Sequence, residues 1–363
     1  MKTNESRKTG LRKFFHTIAL SLFAALIIWW LCRGLNWHEV RVSISGANWQ
    51  SLSLAILIVS STYLLRAYRW RELLKHLAQP GLRDLFIANV VGFSAFFVLG
   101  RAGEVVRPAL LSIRDRRTKP AASFITIFME RICDFVAIVL LFAINLAWFK
   151  PPTGHEIDFG SVQRVGMALL VGVIIGLTAL VVFARHAKAI NARIEKRLLT
   201  LRLPAIVRMV LASTLRQLAT ALRVVAHPRE LLVTVLWTAA LWGAIVVSNL
   251  LMIRAFGVSF GFRETIFVLG WALVGSLIPT PGGAAGAFHA AAAAGLVFLG
   301  VTKELAAAIA IVIHLVDFAP ALVFGLYYLV RGEVTIRRLR EINGSGDKDL
   351  QPVSTANFAS ESL

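Results

Sequence analysis

The sequence predicts an all-α fold: a polytopic membrane helix bundle of about six full spans plus two re-entrant hairpins, eight nominal transmembrane segments in all, arranged as an inverted repeat. Three observations carry that expectation. Hydrophobic residues fill 57% of the 363 positions and charged residues only 16%, which lies outside the range of ordinary soluble domains. Apolar runs of about 20 residues, the length that crosses a hydrocarbon core, recur along the chain. Basic residues, which give a formal net charge of +19, gather in the connections between those runs. There they read as topology signals and lipid-headgroup contacts, not as a nucleic-acid surface.

The chain opens with a basic segment, 1–13, containing Lys2, Arg7, Lys8, Arg12 and Lys13. The apolar run at 14–32 that follows is longer than a signal-peptide core of about 7–15 residues and lacks a small-residue cleavage site, so a retained span is expected. Further spans are expected at 51–68, 121–148, 164–184, 231–254 and 305–330. Two other apolar stretches, 84–112 and 264–301, are interrupted by Gly, Pro and charge. Because basic segments flank 84–112 on both sides, the cytoplasmic preference of Lys and Arg makes it enter and leave on one face. The same reasoning makes 264–301 dip in from the opposite face, and two hairpins of opposite entry suggest the inverted repeat. Between the fourth and fifth spans, 186–229 alternates Leu and Val with Arg at helical spacing, as in an interfacial or a solvated connector helix. The tail at 333–363 ends in a polar, Gly- and Ser-containing stretch without apolar period and is expected to be largely disordered. The expected organisation is therefore a basic cytoplasmic N-terminus, a transmembrane region over 14–332 and a cytoplasmic tail. The expected place is a bacterial-type plasma (inner) membrane, with both termini in the cytoplasm.

Cys32 and Cys133 are far apart and near no histidine pair, so neither a disulfide nor a metal site is expected, and no cofactor. No nucleophile elbow or phosphate-binding Gly-Lys loop occurs, so enzyme activity is not expected.

Ionisable residues within apolar runs carry the chemistry, because they are costly there and must face the bundle interior or a wet cavity. The first hairpin contains Asn89 and then Gly-Arg-Ala-Gly-Glu-Val-Val-Arg-Pro at 100–108. Arg101, Glu104 and Arg107 are three apart, so a helix starting near Gly100 aligns them on one side, leaving a net positive patch suited to a phosphate. An ion-paired turn at the membrane surface is the alternative. In the third span Glu130 and Asp134 are i, i+4 and Arg131 and Asp134 are i, i+3, a spacing that fits either a lipid-binding cluster or an interhelical salt bridge. Arg66, Arg69 and Arg71, beside Tyr68 and Trp70, read as a snorkelling interfacial anchor or as a holder of an anionic lipid head.

The second hairpin contains Ile-Pro-Thr-Pro-Gly-Gly at 278–283. Pro279 and Pro281 stop the incoming helix, Gly282 and Gly283 permit close approach, and a half-helix starting after Gly283 aims its free N–H groups at an anion, with His289 further along. A plain packing kink is the alternative. In the last span His314 and Asp317 are three apart, spaced for a proton relay or for a structural hydrogen bond.

Taken together, Arg-Ala-Tyr-Arg-Trp at 66–70, the 100–108 motif, Glu-Arg-Ile-Cys-Asp at 130–134 and Ile-Pro-Thr-Pro-Gly-Gly at 278–283 resemble the lysylphosphatidylglycerol synthase transmembrane family, over about residues 15–332. The resemblance implies a flippase-like inner-membrane protein with two re-entrant elements that moves a lipid between leaflets. From the residue pattern itself the expected lipid site is Arg101, Arg107 and Arg131 attracting phosphate, Glu104, Glu130 and Asp134 holding those arginines in place, and Asn89, Pro279, Pro281, Gly282, Gly283 and His289 completing it. Because the chain ends soon after its last span, it has no room for the soluble aminoacyl-transfer domain of the bifunctional synthases, and lysyl transfer is not implied. Many relatives carry a glutamate after the glycine pair, where this chain has Phe288 and His289. That departure leaves polyprenyl-phosphate, hopanoid-type and other lipids open as partners. Two other functional classes stay open: a non-transporting partner of a lipid or glycan synthesis enzyme, and a proton-coupled carrier for small solutes.

Overall fold

The computed structural model describes residues 36–149, 160, 163–164, 166–179, 182, 227–278 and 280–332. The expectations for 1–13, the run at 14–32, most of 186–229, Pro279 and the tail lie outside the described residues. Within them the protein is an all-α membrane helix bundle, and no strand occurs.

Nine α-helices carry the architecture among the described residues: α1 Trp37–Ser45, α2 Trp49–Leu74, α3 Leu82–Leu99, α4 Val106–Arg114, α5 Pro120–Trp148, α6 Pro228–Ala255, α7 Phe262–Ser276, α8 Pro281–Phe298 and α9 Lys303–Val330. A further apolar helical stretch covers Gly166–Ala179, inside the expected fourth span. Local chemistry fixes the starts. The Asn48 side chain accepts from the N–H groups of Gln50 and Ser51 at 3.0 and 3.1 Å, capping α2. Prolines open α5, α6 and α8, where a missing N–H does no harm. Glu264 reaches back to accept from the Gly261 N–H at 2.8 Å at the start of α7.

Among the described residues, α2, α6 and α9 are long and apolar enough to cross a membrane, matching three of the expected spans. With 29 residues α5 has the length. It carries Glu130, Arg131 and Asp134 near its middle, so it is less apolar than a helix facing lipid on all sides.

Both interrupted stretches form helical hairpins. In the first, α3 runs into a tight 3₁₀ turn at Gly100–Val105 and returns as the short α4. In the second, α7 ends at Ser276 and α8 starts at Pro281, and the two pack along each other. The hairpins also meet: α3 and the 3₁₀ turn lie against α8. Around them α2 packs on α6, and α9 crosses both α3 and α8. Two hydrogen bonds tie α9 in place, Tyr63 Oη to the Asp317 carbonyl at 2.8 Å and Ser94 Oγ to the Ala321 carbonyl at 2.6 Å.

One glycine sets how tightly the first hairpin closes. A Cβ at Gly92 would lie 2.6 Å from the Arg107 Cβ, so α4 approaches α3 only because position 92 has no side chain. Gly92→Ala is therefore expected to destabilise the protein by about 1–3 kcal/mol through overpacking, read as a lowered midpoint of thermal unfolding in detergent. An unchanged midpoint would contradict this close approach.

Candidate functional site

Three helices bring charged residues to one point inside the bundle, and a fourth closes it with an indole. Helix α5 contributes Glu130 and Asp134, one turn apart and both buried. Helix α2 contributes Arg69, whose side chain is 0% exposed and spans both carboxylates, with Nη1 at 2.6 Å from Asp134 Oδ1 and Nη2 at 3.0 Å from Glu130 Oε1. The second contact is an ion pair without the angle of a hydrogen bond. Helix α4 contributes Arg107, which grips Glu130 with both terminal nitrogens, at 3.1 and 2.7 Å. That fork is the geometry in which a guanidinium holds a carboxylate best. Helix α6 closes the cluster: the Trp242 indole N–H donates to Asp134 at 3.2 Å.

Trp70 supports the arrangement from below. Its ring lies under the Arg107 guanidinium at 4.1 Å, and its indole N–H donates to the Thr126 hydroxyl at 3.0 Å. A guanidinium on an indole face is stabilised by the ring quadrupole, more so when desolvated. Outside the bundle, in the link from α4 to α5, partial burial works against ionisation of Asp115, but hydrogen bonds from Arg117 and Thr118 outweigh it and hold its carboxyl below the usual range. This turn fixes the distance between Arg107 and Glu130 along the chain.

Within the cluster itself Arg66, Arg69, Arg107 and Arg131 stand against Glu130 and Asp134, an excess of positive charge that Asp317, within electrostatic reach of Arg66, and Glu104, which lines the cavity beside Arg131, offset from outside it. Exposure decides where that charge can act. Glu130 is fully buried and Arg107 nearly so, whereas the Arg131 side chain is 46% exposed and makes only long contacts, 3.4 Å to Glu130 and 3.5 Å to Asp134. A surface-open cavity of about 70 Å³ lies beside it, lined by Gly92, Phe93, Phe96, Glu104, Arg107, Ile127 and Arg131. Since about 10–15 Å³ accommodates one water, the space admits several waters or a small polar group. Glu104 is exposed and shares this lining. The Arg101 side chain lies outside the described residues; its backbone belongs to the 3₁₀ turn, so the first hairpin does not begin the regular helix near Gly100 that the spacing predicts.

The anchor expected at 66–71 needs correction. Arg69 is buried between two carboxylates and Trp70 is fully buried under Arg107, because the acids of α5 and the short α4 cover this face of α2. Arg66 is half-buried with its guanidinium 4.8 Å from the Phe93 ring centroid, and its Nε is buried without a hydrogen-bond partner. Tyr68 stacks on Trp237 at 5.2 Å. Only Arg71 is exposed as an anchor would be.

Two expectations for the second hairpin also change. Gly282, Gly283 and Ala284 have φ of 72°, 66° and 67°, a left-handed turn that L-residues rarely adopt. The right-handed helix thus begins after Ala284, one residue later than expected and behind a left-handed turn. His289 follows one turn later, facing His314 of α9 at 4.7 Å between ring centroids. Among the described residues no hydrogen bond or ion pair joins His314 to Asp317; Asp317 has Arg66 as its charged neighbour, and neither His314 nitrogen makes a well-formed hydrogen bond. The expected relay pair is therefore not formed. Asn89 is fully buried with both amide atoms unpartnered and does not line the cavity.

The sequence pattern does not single out Thr126 or Trp242, and it places Trp70 only in an interfacial anchor. The usable signal was helical spacing: Trp70 follows Arg66 by four positions and Arg69 by one, and two buried acids on α5 require cations on a neighbouring helix.

A bundle of long apolar helices that buries an arginine–carboxylate cluster in its interior defines a multi-pass integral membrane protein. The chain belongs to the family described as the lysylphosphatidylglycerol synthase TM region, which it matches over residues 17–325. It is also similar to the UPF0104 membrane protein PH1989 of Pyrococcus horikoshii, with 21% identity over 334 residues that cover 88% of this chain and 97% of that protein.

Because Glu130 holds both terminal nitrogens of the buried Arg107 and shares Arg69 with Asp134, its removal strands Arg107 and leaves Arg69 on Asp134 alone. Glu130→Ala is expected to destabilise the protein by about 3–5 kcal/mol. In a double-mutant cycle with Arg107→Ala, the double variant should unfold at a higher temperature than additive losses require. Strict additivity would show that the pair is not coupled.

Proposed function

We propose that this protein binds an anionic lipid by its phosphate at Arg131 and carries it between leaflets. The observation that carries the reading is the open guanidinium of Arg131, 46% exposed beside the cavity and held only by long contacts to Glu130 and Asp134. Arg107 and Arg69 are held by Glu130 and Asp134. They act by field and by position, so Arg131 replaces Arg107 as the residue that meets the phosphate. The apolar residues on the same cavity, Phe93, Phe96 and Ile127, suit the start of an acyl chain, and Glu104 at its rim suits a head group with a hydroxyl or amine. Membership of a family named for the membrane region of a lipid-modifying synthase supports the same class of ligand.

Transport would follow from two hairpins that enter from opposite faces of an inner membrane and rock about the shared α3–α8 contact, the motion of an inverted-repeat carrier. No reaction is assigned to the chain; it moves a lipid and changes no covalent bond. A role as a partner of a lipid or glycan synthesis enzyme would leave the isolated chain without exchange activity.

In vesicles containing labelled phosphatidylglycerol, the wild-type protein is expected to exchange label between leaflets. Arg131→Ala is expected to slow exchange about tenfold or more, the loss of one charge-assisted contact, while the unfolding midpoint hardly moves because Arg131 makes only long contacts. Exchange at the wild-type rate in that variant would contradict the assignment.

A further inference from the structure

The second hairpin holds polar atoms of another kind. His314, 2% exposed, has no hydrogen bond at Nδ1 or Nε2, and Nε2 of His289 has none either. Phe288, Phe318 and Phe97 surround His314 at 4.9, 5.2 and 6.0 Å. The Gly282 backbone runs beside His314 without closing a well-formed hydrogen bond. Two residues earlier, the buried Thr280 Oγ1 is unpartnered as well. A buried polar group left unsatisfied is destabilising, and buried polar groups are as a rule met by some partner. Several of them lie at or near a left-handed turn of backbone that is itself strained at Ala284.

We infer that the His289–His314 pair is a docking site for hydroxyl groups, so that the lipid handled by this protein bears an uncharged polyol or sugar head. The inference rests on the lipid-binding reading above and names the class of head group. A neutral imidazole offers one donor and one acceptor, and a hydroxyl offers the same complement, so a pair of imidazoles matches a pair of hydroxyls. The phenylalanine rings suit the C–H face of a polyol ring. An ammonium docked at this pair would require a carboxylate beside the imidazoles; Asp317, the nearest acid along α9, makes no bond to His314, and Glu104 lines the other cavity. A phosphate would require fixed positive charge, which lies elsewhere: Phe96 lines the Arg131 cavity, stacks on Phe318 at 6.0 Å, and Phe318 in turn touches His314. The phosphate station and the hydroxyl station thus differ in chemistry and are separated by the Phe96–Phe318 pair.

The test uses the full chain in detergent with two lipids of equal charge, phosphatidylinositol with its polyol ring and phosphatidylmethanol with no hydroxyl, and reads retention by native mass spectrometry. Wild-type protein is expected to retain phosphatidylinositol about tenfold better. His314→Phe, which keeps an aromatic ring in the cluster, and His289→Leu should each bring the two lipids toward parity with the unfolding midpoint retained. Arg131→Ala should weaken both lipids by a similar factor. Equal retention by wild-type protein, or a preference that survives both histidine variants, overturns the hydroxyl site. A histidine-dependent preference that persists while Arg131→Ala changes nothing supports this site and contradicts the phosphate reading instead.

Discussion

Everything around the site depends on one carboxylate. Glu130 sits at zero exposure in the middle of α5 and meets guanidiniums from α2 and α4 at 3.0 and 2.7 Å. A bare charge at that depth would be very costly, and an ion pair in low dielectric offsets its desolvation only when geometry and remaining hydrogen bonds are good. The Arg107 fork and the Trp70 face supply those conditions at Glu130, and the Trp242 indole supplies a bond to its neighbour Asp134. Removing water from the cluster therefore does more than hold helices together. It fixes the position of α4, and with it the wall of the cavity where Arg131 is open.

Backbone geometry serves the same end in both hairpins. In the first, Gly92 lets α4 come close enough for Arg107 to cross under Glu130. In the second, Gly282 and Gly283 begin a left-handed turn that carries Ala284 with it and seats the chain against His314 and Phe318. Neither hairpin could be replaced by a continuous helix without losing its site, since a straight helix would leave no short returning segment to present Arg107 and no turn to face α9. Irregular backbone at membrane depth is tolerated only inside protein, and both breaks lie in the α3–α8–α9 contact region.

Much of this was legible in the sequence, for physical reasons that differ by residue. Apolar length gave α2, α6 and α9 to within a few residues, and the helix-breaking residues gave both hairpins. The i, i+4 spacing of Glu130 and Asp134 placed them together on one face of α5. What spacing along one helix could not give was the partner across helices. Arg69 looks like its neighbours Arg66 and Arg71, and only the position of α5 against α2 makes it an interior residue. His314 and Asp317 failed in the opposite way: the shared face was real in sequence, but packing against His289 drew the imidazole to α8, while Asp317 came within reach of Arg66.

The cluster thus divides labour, with Glu130 and Asp134 spending two arginines on structure and leaving Arg131 for the ligand. That division is the central claim, and a distance tests it most directly. Rotational-echo solid-state NMR between ¹³C-labelled arginine guanidinium carbons and lipid phosphorus, with protein reconstituted in phosphatidylglycerol bilayers, reads it out. The expected result is a set of guanidinium–phosphate contacts from which a close component is lost in Arg131→Lys and retained in Arg71→Lys. A contact unaffected by Arg131→Lys, or no close contact at all, would contradict it.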